Sequence, residues 1–141
     1  MMGMNNRTAL AAAIGFGVDY FGTFLAAALF RSAVTAGADA TSAEDFVTIV
    51  EGSLELQIAL LVLGLSLTVI GAFVAAWIAK GNERAAAFAV GIMSTLIAFL
   101  ELFAAPESGP FWAEAVGLLL TIPAAFVGGE ARRTMVRMRK P

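Results

Sequence analysis

The chain has 141 residues, of which 60% are hydrophobic and 14% charged, with a formal net charge of −2 and a mean hydropathy of +0.85. A soluble domain carries about 25% charged residues, so this chain has too little polar surface to cover a water-soluble globule. Cysteine and histidine are absent. That excludes disulfides, thiolate catalysis, Cys/His zinc sites and histidine-ligated haem, and it leaves carboxylates to carry any acid–base chemistry near neutral pH. The expectation is a chain that is not an enzyme and holds no cofactor or metal.

A bilayer span needs about 20 mostly apolar residues, and four stretches meet that length. The first, 8–30, follows Arg7 and contains one formal charge, Asp19. Its 23 residues exceed the apolar stretch of a secretory leader, about 7–15 residues, so it is read as a retained span. The loop 31–53 has internal pattern. Ser42 and Asp45 form a variant capping box. Phe46, Ile49, Val50 and Leu54 share one helical face, opposite Glu44, Thr48, Glu51 and Glu55. This reads as an amphipathic helix at the outer surface that bends at Gly52-Ser53 into the second span, 54–79; the alternative is a second span that projects above the membrane. Gly81-Asn82-Glu83 forms a tight turn, which makes the second and third spans antiparallel neighbours. The third span covers 85–105. The fourth covers 111–129 and starts after Pro110, a residue suited to a helix start. The tail 130–141 is basic. The fold expected is one all-α domain, a bundle of four transmembrane helices.

Charge sets the orientation expected of these spans. Arg7, Lys80, Arg84, Arg132, Arg133, Arg137, Arg139 and Lys140 fall on one side of the four-span arrangement and Arg31 alone on the other. Eight against one points to both termini on the inner side of the cytoplasmic membrane. Trp77 and Trp112 fall near opposite surfaces, where amphipathic rings gather.

The second and fourth spans share a pattern. Residues 63–74 align without gaps on 116–127, with seven of twelve positions identical, including Thr68 with Thr121 and an Ala-Phe-Val block. Aligning Gly15 on Gly91 puts Asp19 opposite Thr95 in the first and third spans. The chain therefore reads as a two-helix hairpin used twice in parallel.

Small residues mark faces where helices approach closely in lipid. Ala11, Gly15, Asp19, Thr23 and Ala27 form such a stripe in the first span, Gly64 and Gly71 one in the second, and Gly91 lies within another in the third. Asp19 sits at the middle of its span, where a carboxylate costs at least about 2.5–3.5 kcal/mol. Arg31 is twelve residues away, about 18 Å along a helix, and does not reach it. Ser66, Thr68, Ser94, Thr95 and Thr121 lie at a similar depth, and Pro123 frees the carbonyl of Leu119. Together these form a polar layer that either fixes helix register or holds a proton or small cation.

Arg132, Arg133, Arg137, Arg139 and Lys140 are expected to meet anionic lipid headgroups, with the tail on the membrane as a short helix; nucleic acid is not an expected partner. Two functions remain. The first is a non-catalytic accessory or structural subunit that packs with other membrane proteins or with itself. The alternative is a small proton- or cation-coupled transporter or channel that uses Asp19.

Overall fold

A computed structural model of the chain describes residues 6–36, 43–104 and 111–138. Among these there are five helices and no strand: α1 (Asn6–Ala36), α2 (Ala43–Glu51), α3 (Leu54–Ile78), α4 (Glu83–Ala104) and α5 (Phe111–Met138). All but α2 are long and apolar enough to cross a membrane. Ser42 of the expected cap, Arg139 and Lys140 lie outside the described residues.

α3 packs against both α1 and α5, while α4 packs against α5, α3 and α1; α1 and α5 do not meet. The expected neighbours α3 and α4 are therefore in contact, although each has its larger interface with another helix. The turn between them depends on Gly81, which takes φ +93°, a conformation glycine adopts without a steric penalty.

One end of the bundle collects the positive charge. Arg7 of α1 donates to the carbonyl of Ile78 at the end of α3, 3.2 Å away. Asn82 donates to Thr8, which is almost fully buried, at 3.1 Å. Arg84 at the start of α4 pairs with Glu130 of α5 at 2.5 Å and lies over the Phe126 ring, and Arg133 reaches the same carboxylate at 3.0 Å. Arg84 and then Arg133 hold the Glu130 carboxyl below its ordinary range. These contacts bring the start of α1, the α3–α4 turn and the last third of α5 together.

The half of the bundle near that end is close-packed. Ala11, Ala72, Ala75, Ala86, Ala87, Val90 and Ala125 form its buried core. α1 crosses α3 at Gly15 and Gly71. A Cβ on either glycine would lie 2.5 Å from the carbonyl oxygen of the other, so no larger residue fits without parting the helices. Gly91 sits against Ala125 and Ile122 of α5 in the same way. Gly64 does not: nothing lies within 4 Å of its missing Cβ, and it makes no close helix contact.

Three helices exceed the expected spans. α1 runs on to Ala36 and α4 begins at Glu83. α5 continues without a break through Arg132, Arg133 and Arg137 to Met138, so the described part of the basic segment is an extension of α5 and not a separate surface helix. Gly128-Gly129 does not break α5 because both are contact points, Gly128 against the backbone of Val69 and Phe73 and Gly129 against Ala87.

α2 is the expected amphipathic helix in the first loop. It buries Val50 and carries Phe46 beneath the Arg31 guanidinium. Ser53 caps α3 by accepting from the Leu56 amide. Gln57 is nearly buried and joins three helices. It donates to the carbonyls of Val50 and Glu51 that end α2, and accepts from the Trp112 indole of α5 at 2.8 Å. Sequence reading had not singled it out.

Gly71→Ala is expected to cost about 1–3 kcal/mol, the usual penalty of overpacking a tight contact. Gly64→Ala, at an open position, is expected to cost little. Unfolding in a mild detergent measures both, and an unchanged midpoint for Gly71→Ala would contradict the contact.

Candidate functional site

Asp19 lies four residues beyond Gly15 on α1. Because α1 and α3 run antiparallel through the Gly15–Gly71 crossing, Asp19 comes opposite Thr68, three residues before Gly71. The crossing is tight enough that a Cβ on Gly71 would be 2.8 Å from the Asp19 Cβ. The carboxyl is thus pressed into the bundle, with 4% of the residue exposed.

Hydroxyls of Thr68, Ser94 and, from its own helix, Thr23 converge on it. Thr68 Oγ1 lies 3.1 Å and 3.3 Å from the two carboxyl oxygens, and Ser94 Oγ of α4 donates to Oδ2 in a short hydrogen bond. Thr68 Oγ1 is also 3.3 Å from the Gly64 carbonyl of its own helix. A hydroxyl has one hydrogen to donate, and this geometry gives it two acceptors. With Asp19 ionised, Thr68 and Ser94 both donate to the carboxylate. With Asp19 protonated, the acid donates to Thr68, which turns its own hydrogen to Gly64. Either state leaves no buried oxygen without a partner, which would otherwise cost about 1–3 kcal/mol.

The other expected members of the layer are placed differently. Ser66 is exposed and donates to Val62 of its own helix. Thr95 donates to Gly91 and Thr121 to Gly117. Thr121 faces the same space as Asp19 without bonding it, and Thr95 does not line that space. Pro123 and Leu119 both lie on the exposed face of α5, so the carbonyl freed by the proline does not join the layer. Of the residues expected in the layer, Thr68 and Ser94 bond the carboxyl and Ser66, Thr95 and Thr121 do not.

Beyond Asp19, away from the basic end, the four long helices line an open-sided cavity of about 480 Å³. Asp19, Thr68, Ser94 and Thr121 line its deep end, while Glu101 and Glu114, near the ends of α4 and α5 remote from the basic cluster, also line it. Gly64 opens the wall on the α3 side, which explains its lack of close contacts. Thr23 lies one turn beyond Asp19 on the same wall. No lysine or arginine lines the cavity among the described residues. Glu114 and the rings of Phe16, Tyr20 and Phe24 were not among the residues expected; the i, i+4, i+8 spacing of the three aromatics was the available signal.

The chain was also compared with known proteins. No protein-family model, curated protein or solved structure matches it.

In that arrangement Thr68→Val removes a hydrogen bond that Asp19 uses in both protonation states. The expected loss is about 0.6–2 kcal/mol, the range for hydrogen bonds between membrane helices. Ser66→Ala is expected to change stability by no more than about 0.5 kcal/mol, as at other exposed sites. Titration of the folded chain with sodium dodecyl sulfate separates the two; equal effects would place both hydroxyls outside the site.

Proposed function

We propose that this protein is a small membrane transporter or channel that takes up and releases a proton or small cation at Asp19. The observation that carries the proposal is an uncompensated carboxyl at the floor of a cavity built from all four long helices. An intramembrane carboxyl is costly, and such residues mark ion and proton paths when they face a cavity. A carboxyl serving only to fix helix register has no need of an open space beside it.

In this reading the chain spans the cytoplasmic membrane with both termini inside. The cluster of Arg7, Lys80, Arg84, Arg132 and Arg133 at one end of the bundle supports that orientation, because basic residues are retained on the inner side. The cavity then opens outward and the alanine-rich half closes the inner side. The hairpin repeat belongs to the same proposal. Gly15 packs on α3 at Ala75 and Gly91 on α5 at Ala125, contacts of the same kind that stand three residues out of step in the alignment of 63–74 on 116–127. The contact of α3 with α4, which α1 and α5 do not reproduce, makes any such symmetry approximate.

The second reading, an accessory subunit that packs with itself or a larger complex, draws on the outward face of α1. Leu10, Phe21, Leu25 and Leu29 are exposed along it, and lipid or a neighbouring helix covers such a face. The basic residues Arg132 and Arg137 remain available to anionic headgroups in both readings, Arg132 beside Trp77 in a groove between α3 and α5.

Proteoliposomes containing the full chain and a trapped pH dye separate the two readings. The wild type is expected to admit protons down an imposed gradient. Asp19→Asn is expected to keep its helix content and insertion but to lose that flux. Equal flux in the two proteins would leave the accessory reading.

A further inference from the structure

The cavity has features that a proton site does not require. Its volume, about 480 Å³, falls within the range of small-molecule pockets, roughly 300–1,000 Å³. Its walls are mainly aliphatic and aromatic. Phe16, Tyr20 and Phe24 line its α1 edge at four-residue intervals on either side of Asp19, with Phe24 mostly exposed, and the Phe16 and Tyr20 rings stack with centroids 5.8 Å apart.

An inorganic cation would be poorly served there. Calcium and magnesium take about six or more oxygen ligands, and no three carboxylates converge among the described residues. The hydroxyls nearest Asp19, with Thr68, Ser94 and Thr23 bonded to it and Thr121 to Gly117, are neutral and add no second negative charge at the floor. The groups there that attract a positive charge without stripping its shell are the carboxylate and the faces of aromatic rings. Those are the two partners an organic cation uses, the first by charge and the second through the ring quadrupole. The two carboxylates nearer the wide end, Glu101 and Glu114, give the whole cavity one sign of charge, which concentrates cations in it.

Resting on the function proposed above, we infer that the cavity binds a monovalent organic cation with an apolar body, seated between Asp19 and the Phe16–Tyr20 ring pair. Binding exchanges one positive charge for another: the cation enters, Asp19 releases its proton to the cavity water, and the net charge at the floor is unchanged. Both protonation states of Asp19 keep their hydrogen bonds through Thr68 and Ser94, so the exchange leaves no buried polar group unpaired.

The test uses the full chain in lipid nanodiscs and radiolabelled tetraphenylphosphonium as the probe, with empty nanodiscs as the partitioning blank. Saturable binding is expected, resistant to an excess of sodium chloride, weakened about tenfold by Phe16→Leu or Tyr20→Leu and lost in Asp19→Asn. The leucine variants keep an apolar wall, so they report on the rings even where Asp19→Asn folds poorly. Binding equal to the blank, binding unchanged in both leucine variants, or displacement by sodium overturns the inference. If the probe does not bind while Asp19-dependent proton flux persists, the proton site stands and the organic-cation class is wrong. If both are absent, both proposals fall.

Discussion

Gly15 and Gly71 bring two helix backbones so close that the missing Cβ of each would strike the carbonyl of the other. In lipid, where apolar surface gains little by leaving the solvent, such close approach is a main source of helix association. The crossing also fixes register. It sets Asp19 opposite Thr68 and presses the carboxyl inward to where Ser94 of α4 reaches it. A larger residue at either glycine would displace α1, and with it the one acidic or basic side chain at this depth among the described residues.

From that crossing the bundle divides into two unlike halves. On the basic side, alanine and glycine let α1, α3, α4 and α5 close on one another, and Arg7, Asn82 and Arg84 tie the ends. On the other side Gly64 and Gly117 present no bulk, and leucine, phenylalanine and tyrosine side chains line a space they do not fill. Asp19 stands at the boundary. Thr68 has a second acceptor in the Gly64 carbonyl, so the carboxyl keeps a hydrogen-bond partner in either protonation state. A close-packed base, a carboxyl with two hydrogen-bond arrangements and an acidic open end together make a cavity that stops at Asp19.

The sequence made depth legible and left direction obscure. Apolar length located all four long helices, and the charged pattern of 43–51 located α2. The polar continuation of α1 to Ala36 and of α5 to Met138 carries no hydrophobic signal, so the apolar runs ended short of both. Ser66 and Thr68 lie at nearly one depth, but two residues turn a helix by about 200°, which sends Ser66 outward while Thr68 meets Asp19. Thr95 is one residue past Ser94 and misses for the same reason. The i, i+4, i+8 spacing of Phe16, Tyr20 and Phe24 is the cavity's one trace in the sequence, and the extent of the cavity arises from how four helices diverge. Gly64 shows this best: it reads as a packing glycine beside Gly71, and its place is in the cavity wall.

The chain contains no cysteine, so single cysteines report on this division without background. Gly64→Cys and Ala98→Cys line the cavity, whereas Ala72→Cys and Ala87→Cys lie in the packed half. A membrane-impermeant methanethiosulfonate reagent applied to oriented vesicles measures water access to each. The account predicts rapid modification of the first two from the side opposite the basic tail, and none of the last two from either side. Inert cysteines at 64 and 98, or equal reaction from both sides, would contradict it.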